Sequence, residues 1–315
     1  MIKVENLCKA YGSKLAVDNV SFSVGKGEIL GFIGPNGAGK TTTMRIIAGF
    51  IPMSSGKVTV GGHDVESDPV GAKSLIGYLP ENAPLYSTMT VGAFLNFAAE
   101  MRGFSGAEKR RRIEQAVKSC FLSGVLNQKA ETLSKGYRRR ACLAQAIIHD
   151  PEVMILDEPT DGLDPNQKRE IRGLIKSMSA SKVIILSTHI LEEVDAICSR
   201  TLIIDKGKLV FDGSADQLRA KAEKTLFTLD LGGVSAADAI EKLKKIEGVE
   251  KIEDFGAASG KAALKIAVSK SMSADVARHA IFELVKSQSW DLVRFSRDEG
   301  RLDEVFYSIT SKDAA

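Results

Sequence analysis

The chain has 315 residues, 44% hydrophobic and 26% charged, a composition that excludes a disordered tail or a fibre and a length that suits about two domains. Its 43 lysines and arginines against 40 acidic residues leave a formal net charge of +3, which is too small to predict a nucleic-acid partner. No run approaches the ~18 apolar residues of a membrane-spanning helix. The opening MIKVENLCKAYG lacks an apolar signal core, so the chain is expected not to be secreted.

Residues 2–7, 17–24 and 57–60 alternate apolar and polar side chains and are broken by Gly12, Gly25, Gly27 and Gly61-Gly62. This predicts antiparallel strands and turns. Ile29–Ile33, 153–156, Val183–Ser187 and 202–205 are instead continuous apolar runs, the pattern of strands buried on both faces in a parallel sheet. Between them, residues 89–129 are helical in pattern, with a basic run at 109–112 read as a solvated helix face. A polar stretch at 218–224 marks a boundary. Beyond it, strand (226–231), helix, strands (249–255 and 262–268), helix (274–286), strand (291–295) and a short helix (302–309) predict a small ferredoxin-like unit. Cys8, Cys120, Cys142 and Cys198 are scattered, without CxxC spacing, and are expected as reduced packing residues rather than ligands or nucleophiles. His63, His149 and His279 are assigned structural roles.

The strongest chemical signal is Gly34-Pro35-Asn36-Gly37-Ala38-Gly39-Lys40-Thr41-Thr42, a full match to GxxxxGK[ST] between an apolar strand and a helix. Its glycines let backbone N–H groups surround phosphate oxygens, and the helix start adds favourable anion binding. Lys40 would reach the β- and γ-phosphates of a nucleoside triphosphate, and the Thr41 hydroxyl would ligate Mg²⁺. Asp157 and Glu158 end a buried strand, where Asp157 would hold Mg²⁺ and Glu158 would orient or deprotonate a water. Asp164 and His189 are further polar groups at loop or strand ends. By itself a lone histidine such as His189 is more often structural than catalytic.

These motifs, together with Leu133-Ser134-Lys135-Gly136-Tyr137, resemble the ATP-binding subunit of ATP-binding cassette (ABC) transporters, whose signature is LSGGQ. The resemblance covers residues 1–217 and predicts an α/β P-loop NTPase cassette: a mostly parallel core, an N-terminal antiparallel β subdomain and a helical subdomain at about 85–150. Residues 225–315 would form an accessory domain, similar to one found on many such subunits and ending in RLDEVFYSIT. The resemblance implies that Tyr11 stacks on adenine and that His189 contacts the γ-phosphate. Residues 133–137 would reach the ATP of a second copy in a head-to-tail homodimer, across which Asp164 would communicate. Glu81 stands where the family usually has glutamine and is expected to contact Mg²⁺ or the lytic water. Lys135 replaces the first signature glycine and would either offer a cation to phosphate or be exposed. Tyr137 replaces the glutamine.

GYLPE and LSKGYRRR are most similar to ABC-2 type exporters, including sodium- or drug-efflux, copper-related and gliding-motility systems. That implies an integral membrane permease as a separate subunit, docked on residues 82–104, and a peripheral position on the cytoplasmic face of the membrane. Phe94 and Phe97 in that segment read equally as helical core. A soluble cassette ATPase acting on ribosomes or DNA is the alternative, and a nucleotide-gated module without hydrolysis is a second rival.

Overall fold

The computed structural model describes residues 1–82, 85–221, 224–256, 261–269, 272–298 and 302–310. Positions 83–84 of the expected docking segment, 222–223 of the expected boundary and Arg301 of the terminal pattern lie outside the described residues. The chain divides into Met1–Ala215 and Asp216–Ala315, against expected limits of 217 and 225.

In the first unit, β1 (Ile2–Tyr11), β2 (Lys14–Val24), β4 (Ser55–Val60) and β5 (His63–Asp64) form an antiparallel sheet in the order β2-β1-β4-β5. A six-stranded sheet runs β10-β9-β3-β8-β7-β6. Its strands are β3 (Ile29–Ile33), β6 (Ile76–Leu79), β7 (Val153–Asp157), β8 (Val183–Ser187), β9 (Arg200–Asp205) and β10 (Lys208–Gly213). All its pairings are parallel except β9 with β10.

The continuous apolar runs have a simple cause. Successive strand side chains point to opposite faces, and here each face meets its own core. Leu30, Phe32, Val153, Ile155 and Ile185 pack with Ile2, Val4, Val17 and Phe22 of the antiparallel sheet. Ile29, Met154, Leu156, Ile184 and Leu186 pack into the helical layer. Burying each such side chain contributes about 1.5–3 kcal/mol, so neither face tolerates a polar residue until the strand ends.

Helix α1 (Lys40–Ile47) follows β3, and α2 (Pro69–Ser74) precedes β6. The helical layer holds α3 (Val91–Met101), α4 (Gly106–Ser119) and α5 (Lys135–Ile147), while α6 (Pro165–Ser179) and α7 (Leu191–Ile197) flank β8. In the basic run, Lys109 pairs with Glu100, and Arg111 and Arg112 pair with Glu108; Arg110 and Arg111 are exposed as a solvated face requires, but Lys109 and Arg112 are half-buried. Phe94 is core at 5% exposure, whereas Phe97 is 37% exposed with Tyr86 edge-on to it, ring centroids 5.7 Å apart. Burial pushes the thiols of Cys120, Cys142 and Cys198 up to about 12. His149 is pushed down to about 4 chiefly by burial, and its Nε2 lies 3.1 Å from the Ile76 carbonyl.

Helix α8 (Ala215–Arg219) spans the division. In the second unit, β11 (Lys224–Gly232), α9 (Ala236–Leu243), β12 (Val249–Asp254), β13 (Lys261–Ser269), α10 (Ala274–Ser287) and β14 (Asp291–Asp298) precede α11 (Leu302–Thr310). The sheet order β12-β13-β11-β14, antiparallel throughout, is the ferredoxin-like arrangement. Phe227, Leu229, Leu264, Ile266 and Ile281 centre a core of its own.

Candidate active site

Two of the phosphate-loop glycines are required by packing as well as by access. A Cβ at Gly34 would lie 2.2 Å from the Ile204 carbonyl oxygen, and one at Gly39 would lie 2.5 Å from that of Ala16. Gly39 also takes φ 111° as it caps α1, a conformation that L side chains rarely adopt. β9 and β2 therefore clamp the loop, and Pro35, Asn36 and Gly37 remain exposed. The Lys40 ammonium donates to the carbonyls of Gly34 and Pro35 at 2.7 and 3.1 Å. Burial lowers its pKa, and the charges of Glu158, Asp157 and Glu81 oppose that shift.

These groups line one cleft of about 440 Å³, together with Tyr11, Lys14, Ala16, Asn36, Gly37, Gly39, Thr41 and Thr42. Tyr11 is 50% exposed, and the Lys9 ammonium stands 5.1 Å from its ring centroid. The ring is thus exposed rather than spent in the core, with the Lys9 ammonium over one face.

Parallel pairing of β7 with β8 sets Asp157 opposite Ser187, whose hydroxyl donates to Asp157 Oδ1 at 2.5 Å. The Thr41 hydroxyl is 3.5 Å from the same oxygen. Asp157 Oδ2 is buried without a hydrogen-bond partner, an arrangement that is costly unless something charged or polar meets it. A buried carboxylate oxygen beside a hydroxyl is the hard donor set that suits Mg²⁺. Among the described residues no cluster of three His, Cys, Asp or Glu could hold a metal. An ion here would therefore complete its shell from phosphate and water.

Glu158 has φ 52°, in the left-handed region that costs a non-glycine residue about 1–3 kcal/mol. Its N–H donates to the Ser187 hydroxyl and carbonyl at 3.0 and 3.2 Å. The twist brings its side chain to His189, whose Nδ1 lies 3.0 Å from Glu158 Oε2. Burial raises the Glu158 pKa, and His189 and then Lys40 draw it back. An ionised Glu158 requires the proton on Nδ1, leaving Nε2 free.

The signature lies elsewhere. Among the described residues, none of 133–137 lines the cleft. Ser134 caps α5 by accepting from the Tyr137 N–H at 3.3 Å, Leu133 and Gly136 are buried, and Tyr137 is half-buried. Lys135 is exposed, its ammonium 2.6 Å from Asp161 Oδ2. Asp164 caps α6, accepting from the Gln167 N–H at 2.9 Å, with Pro165 in the first turn.

The sequence profile of the ABC transporter family matches residues 17–161. The linearmycin resistance ATP-binding protein LnrL of Bacillus subtilis (strain 168) is 33% identical over 316 residues, covering 99% of this chain and 99% of its own length. The ABC transporter ATP-binding protein MJ1023 of Methanocaldococcus jannaschii is 40% identical over 70% of this chain and 80% of its own length. A solved ATP-binding subunit of an ABC transporter aligns with a TM-score of 0.65 at 30% identity, covering 70% of this chain and 92% of its own. This chain belongs to the ABC transporter family. It is the ATP-binding subunit, an ATPase cassette, and no helix among its described residues is long and apolar enough to cross a membrane.

Several residues that organise the cassette carry no motif. Ser187 sits beside Asp157 only because β8 neighbours β7, and Lys14 and Ala16 reach the cleft from β2. Glu193, 1% exposed, accepts from Thr188 at 2.9 Å, from Arg172 at 3.3 Å and from Thr160. It thereby joins the loop after Glu158 to the one bearing His189. Arg139 is the most heavily bonded of these residues. In sequence it is the middle of three arginines, and nothing there distinguishes it from its neighbours.

Proposed function

We propose that this cassette powers export through a separate ABC-2 type membrane permease, by ATP-driven closure of a head-to-tail homodimer. The observation that carries the reading is the division of parts. Lys40, Thr41, Asp157 and Glu158 line one cleft, with His189 bonded to Glu158, and the signature of the same chain is absent from that cleft. A second copy would supply Ser134 and Gly136 to the γ-phosphate, and Asp164 would relay between the two sites. LnrL, named for linearmycin resistance, aligns over nearly its whole length, which supports export and a second domain common to both chains. Residues 1–217 would act as the ATPase domain, with 225–315 as its accessory.

Tyr11, exposed at the cleft, would stack on adenine through the ring face away from Lys9. Lys40 would leave the Gly34 and Pro35 carbonyls for phosphate oxygens, and residues 34–42 would offer backbone N–H groups. Mg²⁺, held by Thr41 and Asp157 with Glu81 nearby, would neutralise charge on the β- and γ-phosphates. Glu158, ionised and oriented by His189, takes a proton from water as the water oxygen bonds to the γ-phosphorus. The bond to the bridging oxygen breaks, leaving ADP and inorganic phosphate. Positioning and charge supply most of the acceleration.

The exposed Tyr86 and Phe97 would form the contact with the permease, holding the cassette on the cytoplasmic face of the membrane. Tagged protein purified from detergent-solubilised native membranes is expected to bring down a polytopic membrane protein. Recovery with ribosomes or nucleic acid from the soluble fraction would leave the ATPase in place and overturn the transport reading.

A further inference from the structure

Arg139 lies five residues after Ser134 on α5 and is 4% exposed. Its Nη1 donates to the carbonyls of Pro80 and Glu81, each at 2.6 Å. Its Nη2 donates to the carbonyls of Asp157 and, at 2.5 Å, Glu158. The four N–H groups of the two Nη atoms thus meet four backbone carbonyls, while Nε is buried without a partner. Burying a guanidinium is expensive, and burial lowers its pKa against the opposing charges of Cys142, Asp157, Asp161 and Glu158. The cation is nonetheless spent on main-chain oxygens rather than on a carboxylate.

Those oxygens belong to the loop after β6 that carries Glu81 and to the end of β7, where Asp157 passes into Glu158. Glu158 holds its left-handed φ of 52° with its N–H fixed by Ser187 and its carbonyl by Arg139. Strained backbone persists only where its surroundings over-determine it, and here a rigid planar fork performs that task from one side. The same helix presents the signature at its N-terminus, about 7.5 Å along the axis from Arg139.

We propose that Arg139 is a positioning residue for hydrolysis. It fastens the backbone at Glu81 and Glu158 to α5, so that engagement of the signature by a second copy's ATP sets the placement of Glu158 in its own site. This rests on the reading of Glu158 as the base and of the signature as acting on the opposite ATP. Lysine cannot replace the fork, because one ammonium on a flexible stem cannot hold two backbone segments in a fixed plane.

The test uses the full chain with Arg139→Lys and Arg139→Gln, the second removing the buried charge while keeping an amide donor. In folded protein, kcat is expected to fall by about 30- to 100-fold in both variants, as a displacement near 1 Å would produce. ATP affinity should stay within about threefold, and the Mg²⁺ concentration for half-maximal rate should rise. Added to Glu158→Gln, either substitution should lower the residual single-turnover rate by less than about twofold, since two residues acting through one step are not additive. A kcat within twofold of wild type would overturn the proposal, as would equal losses of kcat and ATP affinity, or losses that multiply in the double variant. A wild-type chain that does not hydrolyse ATP would instead overturn the underlying reading of Glu158.

Discussion

Glu158 is asked to be half-buried, backbone-strained and ionised at once, and its environment splits over that demand. Burial favours the protonated carboxyl, while His189 and Lys40 favour the carboxylate. The net shift is upward, so the proton is held to a higher pH than on an ordinary glutamate, near 4.3. Hydrolysis that needs the carboxylate is therefore lost as pH falls through this raised value, and the acid limb of kcat/KM should lie above the usual carboxylate range. Glu158→Gln should cost about 10²–10⁴-fold in kcat, retain ATP binding and show no such limb. Stability moves the other way. Because the folded state binds this proton more tightly than the unfolded one, an ionised Glu158 weakens the fold at neutral pH. Glu158→Gln should melt higher than wild type at pH 7, with the gain vanishing below the unfolded pKa. A lower melting temperature at pH 7 would contradict the burial argument.

Elements are bounded by chemistry that reads in both directions. Asp164 belongs to the motif that suggests communication across a dimer, yet its carboxylate also caps α6, ahead of Pro165. The two roles separate by substitution. Asparagine caps as well as aspartate, so Asp164→Asn should leave unfolding in urea unchanged, whereas Asp164→Ala should cost about 1 kcal/mol. A change in the cooperativity of hydrolysis in Asp164→Asn, at unchanged stability, would isolate communication from capping. Strands β3, β7 and β8 were legible because a covered parallel sheet permits an apolar residue at every position. The functional face of α5 was not. Three consecutive arginines point around the helix at different bearings, and only packing decides that Arg139 turns inward while Arg138 stays exposed.

At the scale of the whole molecule, the separation of the signature from the cleft makes a composite site testable by mixing. Lys40→Ala removes the phosphate-binding cation. Ser134→Asp keeps the α5 cap but sets a carboxylate toward any phosphate the signature meets. Each variant alone should be nearly inactive. Mixed in equal amounts, half of the pairs would be heterodimers with one intact site of two, so activity should recover to roughly a quarter of wild type. A mixture no more active than its components would exclude the head-to-tail arrangement.

By itself the sequence determined the phosphate loop, the apolar strands with the Asp157-Glu158 end of β7, and the ferredoxin-like order of the second unit. Each depends on neighbours a few residues away: a glycine before a helix, a run of buried positions, a turn. Only the tertiary structure decided which of these meet. Sheet order is not chain order, and β3 lies between β8 and β9 while β7 lies beyond β8. That arrangement carries Thr41 and Ser187 to the same oxygen of Asp157, and Arg139 from helix α5 to four carbonyls. The reason is physical. Backbone carbonyls and a buried serine carry no residue-type signal, and their partners follow from which strands share hydrogen bonds across the sheet.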